Sequence, residues 1–85
     1  MKERTIVVTG GTAGIGAAIA RAFLAIGDNV LMGARHDNGL AATLGERARF
    51  QRVDMTRPAE IRALVNEAIN WTGRLDVFVN NAGLS

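Results

Sequence analysis

Apolar and polar positions along this chain follow two alternating rhythms. Thr5 to Thr9, TIVVT, is β-branched throughout and carries no charge, the pattern of a strand buried on both faces. Past the glycine-rich GGTAGIG the period lengthens: Ile15, Ile19, Ala22, Phe23 and Ile26 recur at the spacing of one helix face, and Gly27 offers a stop. Asn29 to Ala34, NVLMGA, predicts a second strand, and LAATLGER over 40–47 a short, weak helix beside glycines. Arg49 to Val53 predicts a third strand, whose ragged alternation suits a place near a sheet edge. The strongest helical pattern comes next, with Ile61, Leu64, Val65, Ala68 and Ile69 at i, i+3, i+4, i+7 and i+8. Thr56 is the expected cap of that helix, Pro58 and Glu60 belong in its first turn, and Gly73 ends it. Leu75 to Val79, LDVFV, predicts a fourth strand.

The order β-α-β-α-β-α-β implies an α/β fold with a parallel sheet and right-handed crossovers. There is no internal repeat, low-complexity tract or linker, so the 85 residues read as one domain or part of one. Composition agrees: 48% of residues are apolar and 21% charged, outside the range of disordered chains. A domain this small is marginal unless something staples it, and with no cysteine no disulfide does. The amino end lacks the apolar core of a signal peptide, and no stretch approaches the roughly 20 apolar residues of a membrane span. The expectation is a soluble cytoplasmic protein without a membrane partner. The net charge is only +2. The densest basic group, Arg47, Arg49 and Arg52, suits a solvated helix end and strand start better than a nucleic-acid surface, so no nucleic-acid partner is expected.

Chemistry concentrates between the first strand and first helix. Gly10, Gly14 and Gly16 form G-x-x-x-G-x-G there. A tight turn of this kind lets backbone N–H groups approach a pyrophosphate, and the helix aims its positive end at the same anion. A side chain at Gly14 or Gly16 would block that approach or the close packing of the helix. The P-loop alternative fails because Ala17 and Ala18, not Lys-Ser/Thr, follow Gly16. The G-x-G-x-x-G fingerprint fails because no three glycines have its spacing. A turn that needs glycine for conformation alone remains the plain alternative, which the surrounding βαβ context disfavours.

TGGTAGIG resembles the T-G-x-x-x-G-x-G motif of the short-chain dehydrogenase/reductase family. VDMT, at Val53 to Thr56, is similar to that family's adenine-contacting segment, and NNAG, at Asn80 to Gly83, to its motif after the fourth strand. The three occur in the family's order at the ends of the expected strands and match only the amino-terminal half of its domain. The resemblance implies a partial Rossmann-like, doubly wound sheet of strand order 3-2-1-4, with two helices on one face and the third on the other. It implies that Gly10, Thr12, Ala13, Gly14, Ile15 and Gly16 line the pyrophosphate and ribose. Asp54 would accept from the adenine amino group with Met55 beside it, although a strand-end turn acid is the plain alternative. Asn81, Ala82 and Gly83 would run past the ribose, and amides at 80 and 81 also suit a turn that ties strand ends together.

Cofactor choice turns on Arg35. A free ribose is usually held by an acid at the end of the second strand, whereas a 2′-phosphate wants an arginine. Here Ala34 stands at the acid's place and Arg35 follows, which favours NADP(H) over NAD(H). Ala13, where many NADP-preferring members carry a basic residue, and Asp37, two residues past Arg35, weigh the other way. His36 reads as a solvent-facing loop residue before it reads as a phosphate contact, and Trp71 as packing.

The resemblance implies hydride transfer between nicotinamide and a carbonyl or alcohol, with a Tyr-x-x-x-Lys pair as proton donor. These 85 residues contain no tyrosine, Lys2 is their sole lysine and Ser85 their sole serine. No catalytic residue and no metal site is therefore assigned, and the chain alone is expected to be inactive. The alternative is a non-catalytic nucleotide-binding or interaction module that needs a partner. In the order 3-2-1-4 the fourth strand lies at an edge with Val77 and Val79 or Phe78 beside it, so self-association or a completing chain is expected there.

Overall fold

In the computed structural model, which describes residues 3–82, the β-branched run forms β1 (Thr5–Thr9), and all five residues are buried. Nothing in that run offers a polar stripe to solvent, so the strand takes the centre of the sheet. It lies between β2 (Asn29–Ala34) and β4 (Val77–Asn80), and β3 (Ala48–Arg52) pairs with β2 from outside. The order is β3-β2-β1-β4 and every pairing is parallel. Val7 sits opposite Leu31 and Phe78, and Thr9 opposite Gly33 and Asn80. The register brings the carboxyl ends of β1, β2 and β4 to one rim. This is the Rossmann-like 3-2-1-4 arrangement expected of the sequence.

Alternate residues of the strands feed two cores. Ile6, Val8, Val30 and Met32 meet Ala20 of α1 (Gly14–Ala25) and Ala41 of α2 (Leu40–Thr43) on one face. Val7, Leu31 and Val53 meet Leu64 and Ala68 of α3 (Pro58–Thr72) on the other. Trp71 packs against this second core, and Arg49 lies 4.8 Å from its ring centre.

The sequence pattern placed the inner face of α1 only in part: Ile19 and Phe23 pack against the first core, but the rest of the expected stripe does not. Ile15 and Ile26 are each 69% exposed and Ala22 is exposed, whereas Gly16, Ala17 and Ala20 are buried. A helix that settles closely onto a parallel sheet needs small residues at the contact, and those carry little weight in a hydrophobic pattern. Helix α2 is a single turn rather than 40–47, because Gly45, at φ +94°, turns the chain away. Strand β3 starts and ends one residue earlier than expected, yet Val53 still donates to Ala34 O at 2.9 Å. Strand β4 begins at Val77, not Leu75. Pro58 opens α3, Glu60 lies in its first turn and Gly73, at φ +87°, closes it as the sequence suggested. Thr56, however, is not its cap: Arg57 holds that position without a side-chain bond, and Thr56 turns back to Asp54.

The basic group at 47–52 is dispersed among separate partners. Arg47 pairs with Glu3 and the Gly27 carbonyl, Arg49 with Trp71, and Arg52 with Glu60 at 3.2 Å. At the rim opposite the strands' carboxyl ends, Arg4 grips the buried Asp28 through two bonds of 2.7 and 3.2 Å. Asp76 accepts from Arg74 and, at 2.8 Å, from the Thr5 amide. Those bonds, Arg74's first, hold its carboxyl below the usual range.

Candidate functional site

The glycine-rich turn begins where β1 runs out. Gly10 adopts φ +66°, open to glycine at little cost, and donates its amide to Gly33 O at 2.7 Å. Gly14 and Gly16 are constrained for different reasons. A Cβ at Gly16 would lie 2.0 Å from the Gly10 carbonyl oxygen, so the first turn of α1 can press on the turn only through glycine. Gly14 has φ +54° and nothing within 4 Å of where a Cβ would be. Its constraint is backbone conformation and the space in front of it is open.

That open space faces an uncapped helix end. Ala13 precedes α1 in extended conformation, no side chain caps the helix, and its first turn holds no acid. Amide donors there keep their capacity for an anion.

At the end of β4, Thr9 organises a small knot. Its fully buried hydroxyl donates to Asn80 Oδ1 at 3.1 Å and accepts from the Ala82 amide at 3.2 Å. Asn81 donates through Nδ2 to Gly10 O at 3.2 Å. Both amides therefore tie strand ends together.

At the end of β3 the backbone amide of Asp54 donates to Glu60 Oε1 at 2.8 Å. Its Oδ1 accepts from the Thr56 hydroxyl at 2.7 Å and the Thr56 amide at 3.0 Å. These bonds, reinforced by the positive charges of Arg35 and Arg57, hold the Asp54 carboxyl below its usual range and keep it an acceptor.

A cavity of about 500 Å³ opens along this rim, within the size range of small-molecule sites. Gly10 and Thr12 line it from the turn, Gly33 through His36 from β2, Val53 through Thr56 from β3, and Ala82 from β4. Of the residues singled out in the sequence, Gly10, Thr12, Arg35, Asp54, Met55 and Ala82 share this cavity. Ala13, Gly14 and Ile15 do not line it but stand exposed at the start of α1, while Gly16 and Asn81 contact the Gly10 carbonyl. Gly83 lies outside the described residues. Val53 and Thr56, the ends of the VDMT segment, line the cavity as well, whereas Gly33 carries no site signal in the sequence and His36 reads there chiefly as a loop residue. A glycine inside a strand signals close approach, and a Cβ at Gly33 would come within 3.0 Å of Val53 Cγ1 and 3.1 Å of Leu64 Cδ2.

Among the described residues no group of three or more His, Cys, Asp or Glu side chains is placed to hold a metal ion, and no helix is long and apolar enough to cross a membrane.

Residues 4–85 match the family model described as short chain dehydrogenase. The chain belongs to that family. It is 44% identical over 82 residues to an L-fucose dehydrogenase of Oryctolagus cuniculus, a match that takes in 94% of this chain and 29% of that protein. A short-chain dehydrogenase structure from Streptomyces avermitilis superimposes with a TM-score of 0.84 at 35% identity, over 94% of this chain and 31% of that one. A substituted actinorhodin polyketide ketoreductase with NADPH gives 0.83 at 36% identity, over 93% and 33%. The chain thus spans about a third of the length of these short-chain dehydrogenases. What it contributes is a Rossmann-like nucleotide-binding portion of an oxidoreductase family that uses NAD(P).

Proposed function

We propose that this chain is the NADP(H)-binding portion of a short-chain oxidoreductase that moves hydride between the nicotinamide and a carbonyl or alcohol, with residues 1–85 forming the amino-terminal part of the family domain. The observation that carries the cofactor choice is the end of β2. Ala34 and Arg35 line the cavity, Arg35 is exposed, and among the described residues no acid pairs with its guanidinium. A guanidinium held in no ion pair, its charge coupled to Asp54 only through space, suits a 2′-phosphate through charge-assisted bonds, and the absence of an acid at Ala34 removes the repulsion that would oppose it.

The remaining residues fit the rest of a dinucleotide. The glycine turn and the uncapped start of α1 supply amide donors for the pyrophosphate. Asp54 has one oxygen taken by Thr56, leaving the other to accept from an adenine amino group, with Met55 against the ring. Asn81 and the stretch after it would pass the ribose. The bound cofactor supplies hydride, while these residues bind and orient it. The proton donor expected in the family, a Tyr-x-x-x-Lys pair, is not among the 85 residues, so this portion by itself is expected to bind without turnover. Among the described residues β4 pairs only with β1, and its free edge is where a completing segment or a second chain would add.

Parallel titrations of NADPH and NADH test the reading. Tighter binding of NADPH is expected. Equal affinities would remove the role given to Arg35, and failure to bind either would remove the nucleotide assignment.

A further inference from the structure

We propose that Asn38 is a positioning residue for the cofactor cavity, holding the loop that carries Arg35 at a fixed distance from the glycine-rich turn. The inference rests on the NADP(H) reading above and adds to it a residue outside the family motifs.

Asn38 follows Arg35 by three residues, in the loop between β2 and α2. Its Nδ2 donates to the Thr12 carbonyl at 2.5 Å, reaching a separate loop 26 residues earlier. Its Oδ1 accepts the Leu40 amide at 3.1 Å, which defines the orientation of the side-chain amide and starts α2. The loop around it is also held: Asp37 Oδ1 accepts the Gly39 amide at 2.8 Å, and Gly39 takes φ +83°. Thr12 and Arg35 line the same cavity from separate segments, the glycine-rich turn and the end of β2. Below them, the Gly10 amide bonded to Gly33 O joins the same two segments at the sheet. The base of the cavity is thus tied by backbone and its rim by one exposed side chain.

A dinucleotide phosphate must satisfy both sides at once, its pyrophosphate at the turn and its 2′-phosphate at Arg35. A rim fixed in advance spares binding the loss of freedom that ordering two loops would require. A ligand that touches only one side gains nothing from the tie.

The test uses the full-length protein, with NADPH and adenosine 2′-monophosphate as probes. N38D retains an acceptor for the Leu40 amide but loses the donor to Thr12. N38A loses both and adds no charge. Both variants are expected to bind NADPH about 5- to 10-fold more weakly, because each loses the bond to Thr12, worth about one net hydrogen bond. Adenosine 2′-monophosphate should change less than about twofold, with the circular dichroism spectrum unchanged. Unaltered NADPH binding in N38A would overturn the proposal, as would equal weakening of both probes. A wild-type protein that binds neither probe would overturn the NADP(H) reading itself, an outcome distinct from selective loss in the variants.

Discussion

Asn81 Nδ2 donates to the Gly10 carbonyl at 3.2 Å, joining the end of β4 to the turn after β1 across 71 residues of chain. A Cβ at Gly16 would enter that contact, 2.0 Å from the oxygen and 2.7 Å from the nitrogen. Turn, helix and strand end thus share a single tight space.

Gly16→Ala should therefore be the more damaging of two similar changes. Its methyl meets a backbone carbonyl that cannot swing aside, and a loss of about 3 kcal/mol in urea denaturation is expected, the upper end for overpacking. Gly14→Ala meets no atom and should lose only about 1 kcal/mol from its left-handed backbone. The reverse ranking would contradict the packing described.

Asn81→Ala should destabilise by about 1 kcal/mol, the worth of one partly buried hydrogen bond. Asn81→Asp should lose more, because it sets a carboxylate against the Gly10 carbonyl. Thermal midpoints of the three proteins measure this, and an aspartate variant as stable as wild type would remove the bond's role.

Arg35→Ala should weaken NADPH by about 1.5–3 kcal/mol and leave NADH nearly unchanged, since a charge-assisted contact to the 2′-phosphate is lost. Calorimetric titration of both cofactors reads the difference directly. Parallel losses would place Arg35 elsewhere than at the 2′-phosphate.

Asp76 makes stability depend on acid. Its carboxyl is held below the usual range in the folded chain by Arg74 and the Thr5 amide, so the folded state favours the charged form. The resulting stability is fully present above the ordinary carboxylate pKa of about 4 and disappears as pH falls through the lower, folded-state value. The gap in stability between wild type and Asp76→Asn should hold constant from pH 7 to about 5 and narrow below 4. A gap that widens on acidification would refute this assignment.

Much of this was legible in the sequence because backbone chemistry is strongly encoded at a few positions. TIVVT could only be central, and Gly10, Gly14 and Gly16 in that spacing prescribe the turn that the structure shows. What sequence alone concealed depends on contacts between distant segments. The buried face of α1 is made of Gly16, Ala17 and Ala20, whose small size matters only once the sheet lies beneath them. Thr56 has the chemistry of a helix cap, but Asp54 two residues earlier offers its hydroxyl and amide a common acceptor. Gly33 has to be glycine because Val53, just past β3, and Leu64 of α3 crowd it, a juxtaposition no local pattern contains.

The central place of β1 also sets a sequence of events in time. Its pairing with β2 brings Thr5 beside Asn29, whereas its pairing with β4 brings Ile6 beside Val77. Closing the longer loop costs about 1 kcal/mol more in chain entropy, which favours forming the parallel β1–α1–β2 unit before the rim is complete. On that order the contact between Asn81 and Gly10 is expected to form late in folding and to open early in unfolding. A dinucleotide that touches both the turn and the end of β4 would act as a latch on that late step, prolonging the lifetime of the folded state while leaving the rate of its formation almost untouched.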